Sequence, residues 1–188
     1  MYRRKDLLIW IDLEMTGLNI KNDKIIEIGM VVTNCNLDLV TEGMSFVIRQ
    51  NREVMQSMDE WNTFHHKKSG LYDKVLKSKI SCSEAEKNIL NFLEKIAYRN
   101  ISPLCGNSIY QDRIFLKKYM PNLEQFFHYR NIDVSTVKEL VKNWSPHFYN
   151  KHKKKLNHTA LSDIKESIKE LDFYKNILFK KNKYINEN

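Results

Sequence analysis

Asp12 and Glu14 stand one residue apart at the end of the apolar run Leu7-Leu8-Ile9-Trp10-Ile11. Side chains alternate faces along a strand, so both carboxylates point the same way. Two carboxylates side by side repel each other and resist desolvation. A hard divalent cation such as Mg²⁺, which takes carboxylate oxygens, removes that cost. A solvated strand end running into the turn Thr16-Gly17 accounts for the pair equally well. On these two residues alone, both readings stay open.

More chemistry lies far downstream. Asp112 falls in Gly106-Asn107-Ser108-Ile109-Tyr110-Gln111-Asp112-Arg113, and His158 and Asp163 fall in His158-Thr159-Ala160-Leu161-Ser162-Asp163. With the first pair they give the order Asp-x-Glu, Asp, His-x4-Asp. That order resembles the DEDDh exonuclease superfamily, whose fold is RNase H-like. Three longer stretches resemble the oligoribonuclease family: Asp-Leu-Glu-Met-Thr-Gly-Leu, Gly-Asn-Ser-Ile-x-x-Asp-Arg and Tyr-Arg-Asn-Ile-Asp-Val-Ser-Thr. The likeness covers nearly the whole chain, from about Leu7 to Tyr174.

The resemblance implies a metal-dependent 3′→5′ exoribonuclease that degrades very short single-stranded RNAs, dinucleotides included, to 5′-mononucleotides. Two Mg²⁺ or Mn²⁺ ions per site, roughly 3.5–4 Å apart, would be held by Asp12, Glu14, Asp112 and Asp163. By family analogy Asp12 bridges the ions, Glu14 and Asp163 complete one, and Asp112 serves the second through water. His158 becomes the general base, since an ordinary pKa near 6.5 suits proton transfer at neutral pH. Outside the motif it reads as a plain helix-start residue.

The family also implies a base clasp of Leu18 and Trp61, with Tyr129 reaching in from a second subunit. Aromatic stacking tolerates any base. A cap on the substrate's 5′-phosphate would use His66, Ser108, Ser135 and the partner subunit's Arg130, whose guanidinium can bind phosphate bidentately. Gln111 joins the substrate contacts, and a homodimer follows. A closed cap selects short RNAs by length rather than sequence. The bland alternatives are a core Trp61 with a surface His66, and a Ser135 that merely caps the helix it opens, where free N–H groups also favour an anion. Glu27 reads as a solvent-facing or hydrogen-bonding residue.

These groups need a scaffold. Residues 5–12, 24–33 and 37–49 read as three strands of an antiparallel meander, the second pair joined by Asn34-Cys35-Asn36. A helix is expected over 59–68, stopped by Ser69-Gly70. Ser81-Cys82-Ser83-Glu84 reads as a capping box opening a helix over 83–99 with Ala85, Ile89, Phe92, Leu93 and Ile96 at helical spacing. A short strand at 103–106, a helix at 108–119, a strand at 129–134 and helices at 135–144 and 159–179 follow. The last carries a stripe of Leu161, Ile164, Ile168, Leu171 and Leu178. The pattern is an α/β fold, a mixed five-stranded sheet flanked by helices, as in the RNase H-like class. No linker or repeat divides it, so one domain is expected over 1–180, with a polar tail at 181–188.

The formal net charge of +8 over 188 residues suits a polyanionic partner. The run Lys151-His152-Lys153-Lys154-Lys155 is either a solvated loop or an electrostatic funnel. Three widely spaced cysteines, Cys35, Cys82 and Cys105, form no C-x-x-C pair and fit reduced thiols in a cytoplasmic protein. The apolar run after the charged N-terminus is too short for a signal peptide core or a membrane span. Two rivals remain at this level: an exonuclease of longer strands, and an RNA-binding module that keeps the fold without catalysis. The first needs no phosphate cap, and the second should have lost one of the five catalytic positions.

Overall fold

A computed structural model describes residues 3–149 and 159–178 of the chain. Strands β1 (Leu7–Met15), β2 (Ile25–Asn34), β3 (Met44–Val47), β4 (Pro103–Gly106) and β5 (His128–Asp133) form one sheet in the order β3-β2-β1-β4-β5. The β1–β2 and β2–β3 pairs are antiparallel, and β4 and β5 continue parallel to β1. This is the mixed five-stranded sheet expected from the sequence. The helices are α1 (Arg52–Gln56), α2 (Glu60–Lys68), α3 (Leu71–Lys77), α4 (Cys82–Ile96), α5 (Ile109–Tyr119), α6 (Pro121–Glu124), α7 (Val134–Trp144), α8 (Pro146–Tyr149) and α9 (Ala160–Leu178).

The alternation of β1 decides what each face of the sheet carries. Leu7, Ile9, Ile11 and Leu13 point to one side and pack on Ala85, Ile89 and Leu93 of α4 and Phe115 and Leu116 of α5. Leu8 and Trp10 point to the other and pack with Val134 and Val141 of α7 and Ile164, Ile168 and Tyr174 of α9. Each such fully buried apolar side chain contributes about 1.5–3 kcal/mol. The Trp10 indole N–H, buried with them, donates to Thr33 Oγ1 at 3.0 Å, which meets its need for a partner. A third cluster, Ile26, Met55, Met58, Leu71 and Val75, anchors α1 and α3 at the β2–β3 end.

Local signals explain most element ends. Ser81 Oγ accepts the Glu84 N–H and the Glu84 carboxylate accepts the Ser81 N–H, so the expected capping box opens α4. The helix stops at Ile96, not 99, because Ala97 turns extended and bridges to Arg4. β1 runs three residues past the expected end, through both carboxylates. β3 is far shorter than the expected 37–49. Leu37 and Gly43 both take positive φ (78° and 95°), and the backbone of that stretch meets β2 in an isolated bridge, Thr33 to Leu39, rather than in a ladder. A Cβ on Gly43 would sit 2.9 Å from Val31 Cγ2, so glycine there answers both backbone angle and space. Helices α1, α3, α6 and α8 are too short to display a helical period, although Asn51 caps α1 and Pro121 opens α6.

Candidate active site

Asp12 and Glu14 continue the Leu8–Trp10 face of β1, and α9 lies against that face. The first turn of α9 carries Asp163. Asp12, Glu14 and Asp163 each offer an oxygen, and these oxygens all lie within 4.8 Å of one another. The close approach depends on Gly29, the cross-strand partner of Asp12. A Cβ there would lie 2.8 Å from Ala160 Cβ and 3.0 Å from the Ala160 carbonyl carbon. The bare glycine lets the start of α9 settle on β2 and brings Asp163 to the acids of β1.

Asp112 sits in the first turn of α5 and lies outside that 4.8 Å grouping. Its Oδ1 accepts the N–H of Leu13, the residue between Asp12 and Glu14, at 2.9 Å. The contact ties α5 to the acid-bearing strand. Burial lifts the Asp112 carboxyl to about 7, against the pull of the amides of Leu13 and of Asp112 itself, and Asp133 adds to the rise. Glu14 is also lifted to about 7, first by burial and then by the carboxylates of Asp163, Glu27 and Asp112. A Glu14 carboxyl held this high inside the three-oxygen cluster, with Asp112 raised beside it, makes a site that gains from a divalent charge. Hard oxygen donors fit a hard cation.

The raised Glu14 has a consequence for the metal-free protein. Its folded pKa exceeds its unfolded one, so its stabilising contribution is full below the unfolded value and disappears as pH rises through about 7. In chelator, Glu14→Gln should therefore raise Tm by at least about 3 °C at about pH 8 and by less than about 1 °C at about pH 5. Differential scanning calorimetry checks this, and an equal change at both pH values would contradict the raised pKa of Glu14.

Beside Glu14 opens a groove of about 480 Å³ lined by Leu13, Met15, Gly17, Leu18, Asp59, Trp61 and Asn62. Leu18 (68% exposed) and Trp61 (64%) stand out into solvent at this groove. Gln111 reaches the same loop, its Nε2 donating to Leu18 O at 3.3 Å. The reading of a core Trp61 and a surface His66 is inverted. His66 is 5% exposed, with Nε2 2.9 Å from Met15 O, and burial lowers its pKa. Trp61 instead lies against the His65 ring, with centroids 4.1 Å apart and planes tilted by 42°.

Ser108 and Ser135 come together, with hydroxyls 3.1 Å apart. Ser135 does not open its helix. α7 begins one residue earlier, and Asp133 is the N-cap. Asp133 Oδ1 accepts the N–H groups of both Ser135 and Ser108, each at 2.9 Å. Tyr129 (73% exposed) and Arg130 project from β5 at the sheet edge. Within one chain Tyr129 does not line the Leu18–Trp61 groove. His158 and the run 151–155 lie outside the described residues.

Two further acids, Glu27 and Asp133, border the site. Glu27 is buried, pairs in register with Glu14 and accepts the Ser45 hydroxyl at 2.6 Å. A solvent-facing Glu27 is thus excluded, and the hydrogen-bonding alternative is what the fold shows. Only the strand register reveals its closeness to Glu14. Asp133 carried the signal of an Asp one residue before a helix, which the Ser135 reading overlooked.

The RNase_T exonuclease family model matches residues 9–171, a span that runs from β1 into α9 and takes in Asp12, Glu14, Asp112 and Asp163. Among solved structures, exonuclease I from Methylocaldum szegediense aligns with a TM-score of 0.71 at 14% identity, covering 93% of this chain and 41% of that one. The zinc-bound E. coli exonuclease I–ssDNA complex aligns with a TM-score of 0.73 at 11% identity, covering 94% and 42%. This chain therefore spans well under half of those proteins, and at such identities the likeness concerns the fold. Sequence relatives are much nearer. The oligoribonuclease of Ruthia magnifica is 53% identical over 174 residues, 93% of this chain and 97% of its own length. That of Buchnera aphidicola is 56% identical over 177 residues, 94% and 95%. The chain belongs to the oligoribonuclease family.

Proposed function

We propose that this chain degrades very short RNAs, dinucleotides included, to 5′-mononucleotides by two-metal-ion hydrolysis in the cytoplasm. Family membership makes it a hydrolytic 3′→5′ exoribonuclease. The observation that carries the finer reading is Glu14, which belongs both to the acid cluster and to the wall of the Leu18–Trp61 groove. A scissile phosphate next to a base held in that groove would lie against the acids.

Two Mg²⁺ or Mn²⁺ ions, when bound, supply activation of the attacking water and stabilisation of the charge that develops on the phosphate. Asp12, Glu14 and Asp163 would hold the ions, with Asp12 serving both by family analogy and Asp112 supporting the second. His158 accepts the proton of the attacking water. Leu18 and Trp61 clasp the bases, Gln111 contacts the substrate beside Asp112, and Tyr129 enters from the partner subunit of a homodimer. The 5′-phosphate is capped by His66, Ser108 and Ser135 with the partner subunit's Arg130. The Ser108 and Ser135 amides are given to Asp133, and the Ser135 hydroxyl donates to Asn107 Oδ1 at 3.1 Å, so a bound phosphate would draw the two hydroxyls away from these contacts. Among the described residues no helix is long and apolar enough to cross a membrane.

An RNA dinucleotide labelled on its 5′-phosphate tests the reaction. With Mn²⁺ it should yield one labelled 5′-mononucleotide, and with excess chelator none. Persistence of the dinucleotide in the presence of metal and folded protein would leave a binding module as the better reading.

A further inference from the structure

Two residues of β5 leave the ladder. Pro103 pairs with His128, but the next residue, Leu104, pairs with Asn131, so Tyr129 and Arg130 form a bulge. β5 is an edge strand, and a bulge there aims side chains outward while stripping carbonyls of ladder partners. Arg113 supplies the missing donors. Its Nη1 donates to His128 O and Tyr129 O, each at 3.0 Å, and to Asn131 Oδ1 at 2.7 Å. Its Nε donates to Glu124 Oε1 at 2.8 Å, and both side chains of that ion pair are largely buried. The guanidinium is therefore held from behind by Glu124 while its front grips the bulge. A planar fork can do this; a single ammonium on a flexible stem cannot. Outside, the Tyr129 ring rests between His128, with centroids 4.4 Å apart, and the Arg130 guanidinium at 5.4 Å.

We propose that Arg113 is a positioning residue that shapes the β5 bulge and so presents Tyr129 and Arg130 to the neighbouring subunit's site. This rests on the reading that Tyr129 and Arg130 serve that site. Adjacent residues of α5 then serve two different sites: Asp112 turns inward to the acids of its own chain, and Arg113 sets the residues that complete the partner's. Arg113 touches no substrate; it acts through the strand it holds.

The test compares Arg113→Gln, Arg113→Lys and Tyr129→Ala with the parent on a 5′-phosphorylated RNA dinucleotide in Mn²⁺. Arg113→Gln should raise KM about tenfold or more with kcat changed less than about threefold, and lysine should recover part of the loss. Co-expression with Asp12→Ala separates positioning from general damage. In mixed dimers the sound acids of the Arg113→Gln chain meet the sound bulge of the Asp12→Ala chain. Low-KM activity should reappear in about one quarter of all sites for random pairing. Mixed dimers without low-KM activity would overturn the inference. A raised KM in Tyr129→Ala beside a parental KM in Arg113→Gln would overturn it while leaving the role of Tyr129 intact. A parental KM in Tyr129→Ala would sink that role and the inference together. If Arg113→Gln fails to fold, Arg113→Lys carries the same comparison.

Discussion

Replacing Asp12 with alanine should lower kcat in Mn²⁺ by about 10³-fold or more and leave the folded protein intact. Asp12 shares one small volume with Glu14 and Asp163. The proposed mechanism gives it a share in both ions, so its loss would remove a ligand from each. Several kcal/mol of transition-state stabilisation go with it. The fold loses little, since Asp12 sits among like charges and the packing of β1 comes from Leu7, Leu8, Ile9, Trp10 and Ile11. Tm in chelator should stay within about 3 °C of the parent. Titration calorimetry should show Mn²⁺ binding weakened in parallel with kcat. Near-normal turnover in this variant would end the two-metal reading.

The second large effect is expected from a residue with no chemistry of its own. Gly29→Ala places a methyl 2.8 Å from Ala160 Cβ and 3.0 Å from backbone, so β2 and α9 must separate. Overpacking of this kind costs about 1–3 kcal/mol, or roughly 2–12 °C in Tm. Activity should fall further, by about 10²-fold, because a shift of about 1 Å in Asp163 relative to Asp12 and Glu14 spoils a positioned site. Adding Ala160→Gly removes the nearer of the two clashes and should restore part of both stability and rate. A Gly29→Ala enzyme with full activity would show that the approach of α9 does not set the acid cluster.

The parts legible in the sequence were those with long periods or local chemistry. The apolar runs of β1 and β2, the stripe of α9 and the Ser81–Glu84 box each state their structure within a few residues. The Asp12–Glu14 spacing told which face they share, and the structure adds that α9 covers it. What escaped depends on contacts between distant segments. Glu27 meets Glu14 only through the β1–β2 register. The buried His66 meets Met15 O, a contact with distant β1 that the sequence does not display, and α2 has no clear apolar stripe that would announce which of His66 and Trp61 turns inward. β3 is cut short by positive φ at Leu37 and Gly43. The gap in β5 that lets out Tyr129 and Arg130 is visible only once β4 lies beside it.

The most direct measurement is a Mn²⁺ cleavage time course on 5′-phosphorylated RNAs of two, three, seven and twenty nucleotides. A closed, capped groove predicts the highest rate at two nucleotides and a collapse at twenty. Rates that hold level or rise with length would contradict it and place this chain with exonucleases that thread long strands.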